Sequence, residues 1–289
     1  MRVFQSIGEF RAALVADRAA GRFPGLVPTM GYLHDGHASL IRAARSQCDV
    51  VAVSIFVNPL QFGPAEDLAA YPRDMDRDLA VCEAEGADYV LAPGVEEMYP
   101  EPAPVRVSAG RLGEVLCGAS RPGHFDGVAT VVAKLFNIAG PCRAYFGRKD
   151  AQQLVVIRQM ARALDFPVEV VGCPTVREAG GVAMSSRNVY LSDGERGAAA
   201  VLYKALVEAS GLVESGERDG ARIAALMGER ISSEPLTRPD YAACVDPAAL
   251  EDVARIEGPV LLAVAAWFGG ARLIDNTTAT PRYGAPSGG

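Results

Sequence analysis

Two of the chain's three histidines, His34 and His37, stand three residues apart in the stretch "VPTMGYLHDGHASLIRAAR", residues 27–45. Apolar residues precede them, Gly31 and Gly36 flank the first, and a helical pattern follows. A strand, a tight glycine loop and a helix start aim free backbone N–H groups at one spot, where the helix dipole also favours an anion such as phosphate. Imidazoles there add compact donors, and a protonated one adds charge where phosphate charge builds up. Two other readings stand beside this one. The pair also suits a helix cap or a surface position. A zinc site is a third reading, although it lacks a clear third ligand and the spacing is not that of H-E-x-x-H.

Three further segments carry polar groups at places where chemistry is done. "SIFVNPLQFG", 54–63, is an apolar run ending in Asn58-Pro59 with Gln61 beyond. Asn58 and Gln61 are placed to hydrogen-bond a hydroxyl or carboxylate, or Asn-Pro simply makes a turn. "AYFGRKDAQQLVVIRQM", 144–160, offers Lys149 to a phosphate and Asp150 to a ribose or metal, with Gln152 and Gln153 opening a helix. Of 28 basic residues only Lys134, Lys149 and Lys204 are lysine. A lysine in this loop supplies a compact point charge that a planar guanidinium does not copy. "VREAGGVAMSSRNVYLS", 176–192, reads as a phosphate-gripping loop, with Ser185, Ser186 and Arg187 after a flexible Gly180-Gly181 pair, or as a solvated linker.

The elements that must position these groups alternate in type. Helical spacing over 6–20, 37–46, 76–86, 127–140 and 152–164 alternates with strand-like runs at 26–27, 49–57, 87–93, 143–147 and 168–174. Continuous β-branched runs such as "DVVAVSIFV" suit strands covered on both faces. The pattern predicts an α/β, Rossmann-like, doubly wound parallel sheet over residues 1–176. Beyond it, helical stretches at 193–213 and 219–233 and strands at 239–246 and 258–279, with a Gly-Gly turn, predict a smaller C-terminal α+β domain over 177–289. "RYGAPSGG" reads as a frayed tail.

Composition narrows the function classes. With 289 residues, 49% hydrophobic and 22% charged, the chain can bury a core without metal or disulfide. A net charge of −7 argues against a nucleic-acid or anionic-membrane binder. Six scattered cysteines with no C-x-x-C pair, and no signal-like or membrane-length apolar run, predict a reduced, cytoplasmic protein.

"PTMGYLHDGH" at 28–37, "FVNPLQFG" at 56–63, "YPRD" at 71–74, "GHFDGVATVVAKLFN" at 123–137, "FGRKDAQQ" at 146–153 and "AMSSRN" at 183–188 occur in that order. Together they resemble the pantothenate synthetases, or pantoate–β-alanine ligases, of the H-x-G-H nucleotidyltransferase superfamily. The resemblance implies ATP as co-substrate with Mg2+, pantoate and β-alanine as substrates, a homodimer, and a C-terminal domain closing over the ATP site. It places ATP on Met30, Gly31, Tyr32, Leu33, His34, Asp35, Gly36 and His37, on Gly147, Arg148, Lys149 and Asp150, on Val176, and on Met184, Ser185, Ser186 and Arg187. His37, which the family assigns as proton donor, would act with His34, Lys149, Ser185, Ser186 and Arg187. Gln61 and Gln153 would bind substrate, with Asn58 beside them, and Asp78 would touch the metal. Gly123, His124 and Phe125 match a family motif without an assigned role.

Four positions depart from the family pattern: Tyr32 for alanine, Arg148 for glutamate, Gly180 for aspartate, and Arg77 where an acidic residue is common. The implied reaction has two steps. Pantoate's carboxylate attacks the α-phosphate and releases pyrophosphate, then the β-alanine amine attacks the acyl-adenylate. The rivals are transfer of AMP to a phosphorylated substrate, which wants more basic residues, and a catalytically silent nucleotide-binding module.

Overall fold

The computed structural model describes residues 1–64, 66, 68–101 and 105–282. The chain forms two compact units: Met1–Glu114 with Arg121–Val176, and Val115–Ser120 with Arg177–Gly289.

The first unit runs β1 (Arg2–Phe4), α1 (Ile7–Ala19), β2 (Pro24–Thr29), α2 (Asp35–Arg45), β3 (Val50–Ile55), α3 (Met75–Ala84), β4 (Tyr89–Leu91) and α4 (Val95–Met98). After α5 (Cys117–Ser120), which belongs to the second unit, it continues as α6 (His124–Ala139), β5 (Cys142–Gly147), α7 (Ala151–Ala163) and β6 (Val168–Cys173). Every β3 residue is buried, as a β-branched run between two helical layers requires. α2 presents Ala38, Ile41 and Ala44 to Val27, Val51 and Val53 of the sheet. α6 is apolar nearly all round and buried along most of its length.

Among the described residues the strands pair in the parallel order β1-β4-β3-β2-β5-β6. The chain steps outward from β2 through β3 to β4, then returns to place β5 on the other side of β2. The loops leaving the carboxyl ends of β2 and β5 therefore part at a topological switch point, where open α/β sheets bind ligands.

The second unit packs α8 (Asp193–Ser215) and α9 (Gly220–Ser232) on an antiparallel sheet of β7 (Thr237–Val245), β8 (Val260–Phe268) and β9 (Ala271–Ala279). Leu206, Ile223, Met227, Leu262, Val264 and Phe268 lie in its core. Its first boundary is the expected one, after Val176, but residues 115–120 join it from far upstream. The reason is polar. Cys117 Sγ lies 3.2 Å from Tyr241 Oη, and Ser120 Oγ donates to Asp240 Oδ1 (2.9 Å). Arg272 Nε of β9 donates to Asp240 Oδ2 (3.0 Å).

Two helix starts fall earlier than the spacing predicts. α2 opens at Asp35, so His34 becomes its N-cap. α6 opens at His124 rather than 127, behind Gly123 in a left-handed conformation. β1, three residues long, is too short to leave a periodic signal. Residues 283–289 of the expected tail lie outside the described residues.

Candidate active site

The loop from β2 to α2 is held from below. Thr29 Oγ1 donates to Ser54 O on β3 (2.7 Å) and accepts from the Gly31 N–H (3.1 Å). Gly31 and Tyr32 both take left-handed conformations, with φ of 81° and 50°. A Cβ on Gly31 would stand 2.9 Å from Asp78 Oδ2, so glycine is needed for space as well as for conformation. Asp78 lies buried on α3 and accepts the Leu33 N–H (2.6 Å) on Oδ1 and the Tyr32 N–H (2.8 Å) on Oδ2. Burial pushes its carboxyl pKa up, against the pull of those two bonds. The residue expected beside the metal is thus placed as a brace for the histidine loop. Arg77, next to it, stacks its guanidinium on the Tyr32 ring at 4.9 Å, so two of the four departures from the family pattern meet each other.

The two histidines form a cap and are oriented by it. His34 Nδ1 accepts the Gly36 N–H (3.1 Å), and His37 Nδ1 accepts the His34 N–H (3.4 Å). The rings lie 4.1 Å apart, tilted by 35°. A ring nitrogen that accepts carries no proton, so each neutral ring bears its hydrogen on Nε2. Burial first, and then the charge of Lys149, lower the His34 pKa to about 4. Burial, His34 and Lys149 hold His37 well below the usual histidine value. The protonated imidazole weighed from sequence is disfavoured here. Both rings are neutral at pH 7, and each offers an Nε2–H donor. The cap reading and the ligand reading are two ends of the same rings.

Lys149 reaches this pair from the β5 loop, across the switch point. Its Nζ lies 3.8 Å from Asp150 Oδ1, and its charge bears on both imidazoles. Gly147 ends β5. Arg148 turns to the neighbouring strand, where its Nε donates to Gly172 O of β6 (3.0 Å). Of the two glutamines opening α7, Gln152 is buried and its Nε2 donates to Leu112 O (2.8 Å), while Gln153 is half-buried. Val176, half-buried, is the last residue of the unit.

The turn after β3 brings the substrate candidates to the same edge. Asn58 Nδ2 donates to Gln61 Oε1 (3.1 Å) and to Gly127 O (3.0 Å). Gln61 Nε2 lies 2.9 Å from Met30 Sδ, which joins this turn to the end of β2. Tyr99 Oη donates to Asn58 Oδ1 (2.9 Å). Sequence reasoning missed Tyr99, which lies in no motif and whose spacing carries no signal.

Met184 to Arg187 lie in the second unit. Ser185 caps a short 3-10 turn over Ser186–Tyr190, its Oγ accepting the Arg187 N–H (3.3 Å). The Gly180-Gly181 pair before it is no slack hinge. Arg177 donates to Asp275 through both terminal nitrogens (2.5 and 2.9 Å), donates to Gly181 O (3.0 Å) and stacks on Tyr203 at 4.0 Å. Gly181 has φ +90°, and a Cβ there would meet Tyr203 at 2.8 Å. Asn188 Nδ2 ties the turn back to Glu178 Oε1 (2.8 Å) and Ala183 O (3.2 Å).

A switch-point crevice with oriented imidazole donors, a lysine and a paired carboxamide turn defines a nucleotide-using enzyme that handles a small polar acid. The comparisons with known proteins narrow that class. The pantoate-beta-alanine ligase family profile matches residues 2–278. A pantothenate synthetase of Moorella thermoacetica is 54% identical over 276 residues, spanning 96% of this chain and 98% of that one. A crystal structure of the Thermus thermophilus pantoate-beta-alanine ligase superposes with a TM-score of 0.91 at 50% identity, covering 96% of this chain and 99% of the other. The Francisella tularensis ligase, solved with beta-gamma ATP and beta-alanine, gives 0.79 at 30%, with 96% and 97% covered. The chain belongs to the pantoate–β-alanine ligase family. Its reaction is the ATP-dependent joining of pantoate to β-alanine.

Proposed function

We propose that this ligase works through a pantoyl-adenylate held at the β2/β5 switch point. The observation that carries the reading is the pair of neutral imidazoles, each with Nδ1 spent on a backbone N–H and Nε2–H left as donor beside Lys149. A carboxylate oxygen of pantoate attacks the α-phosphorus of ATP, and the bond to the β-phosphate breaks, releasing pyrophosphate. The β-alanine amine then attacks the acyl carbon, the C–O bond to AMP breaks, and the amine gives up its proton as the amide forms.

His34, His37 and Lys149 serve the phosphates, with Ser185, Ser186 and Arg187 from the second unit. Oriented N–H donors and one compact ammonium stabilise charge as it moves onto pyrophosphate. Neutral histidines act as hydrogen-bond donors and do not have to surrender a proton. Gln61, Asn58 and Gln153 take the hydroxyls and carboxylate of pantoate. Magnesium enters on the substrate, as Mg-ATP. Both Asp78 oxygens already accept amide hydrogen bonds, and Mg2+ commonly relies on phosphate oxygens, water and one or two carboxylates. Closure of the C-terminal unit over ATP, a homodimer and a cytoplasmic location belong to the same proposal. Among the described residues no helix is long and apolar enough to cross a membrane.

Isotope exchange tests the intermediate. Labelled pyrophosphate should enter ATP when enzyme, Mg-ATP and pantoate are present without β-alanine. Exchange that strictly required β-alanine would sink the adenylate.

A further inference from the structure

The "GHFDG" motif, left without a role by the sequence, lies against the substrate turn. His124 opens α6, and its Nδ1 lies 2.7 Å from the backbone oxygen of Gln61. Its Nε2 lies 3.1 Å from Arg121 Nη1. Arg121 also donates to Gln61 O (3.5 Å) and, through Nε (2.9 Å) and Nη2, to Glu66. These partners settle the imidazole's protons. A guanidinium can only donate, so Nε2 accepts. A carbonyl oxygen can only accept, so Nδ1 carries the hydrogen. The ring is a neutral connector between Arg121 and the Gln61 carbonyl. Burial and the Arg121 charge favour that state and lower its pKa to about 4.

One turn further, Gly127 packs backbone against backbone. A Cβ there would stand 2.2 Å from Leu60 O and 2.6 Å from the Gln61 nitrogen. Asn58 Nδ2 donates to the Gly127 carbonyl and also to the Gln61 carboxamide. Gln61 is thus gripped twice from α6, at its own carbonyl and through Asn58. Its carboxamide stands where the helix sets it. Packing alone would hold a turn, but not at the angle a hydrogen-bonding carboxamide needs. A 1 Å misplacement of such a group is felt in substrate use.

We propose that His124 is a positioning residue for Gln61, and that the pantoate-binding geometry of this ligase depends on the hydrogen bond from its Nδ1–H to the Gln61 carbonyl. The inference rests on the reading of Gln61 as a pantoate-binding residue. Three variants test it. In His124→Asn the side-chain amide nitrogen stands near the place of Nδ1 and keeps the donor, whereas His124→Gln carries its amide further out and His124→Ala has none. The full-length enzyme should show a KM for pantoate raised about tenfold in the Ala and Gln variants, the scale of one displaced hydrogen bond. The KM for ATP should stay near wild type, and His124→Asn should recover most of the loss.

A KM for ATP rising in step with that for pantoate would overturn the proposal, because it reports general loosening. So would an Asn variant no better than Gln. If the Ala variant does not fold, the Asn and Gln pair decides alone. Gln61→Ala separates the two claims. If it leaves pantoate use intact, the substrate reading fails. If it raises the pantoate KM while all His124 variants behave as wild type, only the positioning role fails.

Discussion

At the scale of single residues, the histidine pair shows how one side chain can satisfy the fold and the chemistry together. His34 and His37 stand where a cap is needed, and capping through Nδ1 decides which nitrogen faces outward. The sequence reveals the pair and its place at a helix start, but not the tautomer, because that depends on which backbone N–H each ring meets. The consequence is a pH profile. The His34 pKa of the folded protein, about 4, lies below the ordinary 6.5, so folding favours the neutral ring. Its stabilising contribution is complete above pH 6.5 and is lost as pH falls through about 4. kcat/KM for ATP should therefore be level from pH 6 to 8 and decline on the acid side only below about pH 5. An acid limb near 6.5 in a steady-state profile would mean that an ordinary, solvated histidine controls the reaction.

At the scale of elements, three loops leaving β2, β3 and β5 are braced by neighbours distant in sequence. Asp78 on α3 holds two amides of the β2 loop 45 and 46 residues upstream. Asp78→Asn should turn one of its acceptors into a donor facing a backbone N–H, a loss of about 1–3 kcal/mol. The variant should melt earlier and bind ATP more weakly while its dependence on free Mg2+ stays put. A changed Mg2+ dependence with normal thermal stability would return Asp78 to the metal. The loops themselves were legible in the sequence, because continuous apolar runs end in glycine and polar residues there. Their braces were not. Asp78 reads as one of several acidic residues on an amphipathic helix. Glycines misled in both directions: Gly127 reads as a helix boundary and is a close packing contact, and Gly181 reads as slack and is wedged against Tyr203.

At the scale of the whole molecule, the boundary after Val176 was readable from the change of texture, but the capture of 115–120 was not, because no periodicity marks six residues between a loop and a helix. The structure ties that segment down through Asp240, which accepts from Ser120 and from the mostly buried Arg272. Asp240→Ala leaves the guanidinium without this carboxylate and should lower stability by about 2–3 kcal/mol. It should also expose 115–120 to limited proteolysis while the first unit stays resistant. An unchanged cleavage pattern would mean that Asp240 does not hold the segment. The same capture sets an order on synthesis. Cys117 and its partner Tyr241 are separated by 124 residues, and Arg272 comes later still. At about 5–20 residues per second, a ribosome delivers the segment roughly 6–25 s before the strand that receives it. Through that interval the nascent chain carries a thiol and a serine with their eventual partners unmade. A message cut short before β9 would leave the segment waiting for an arginine that never arrives.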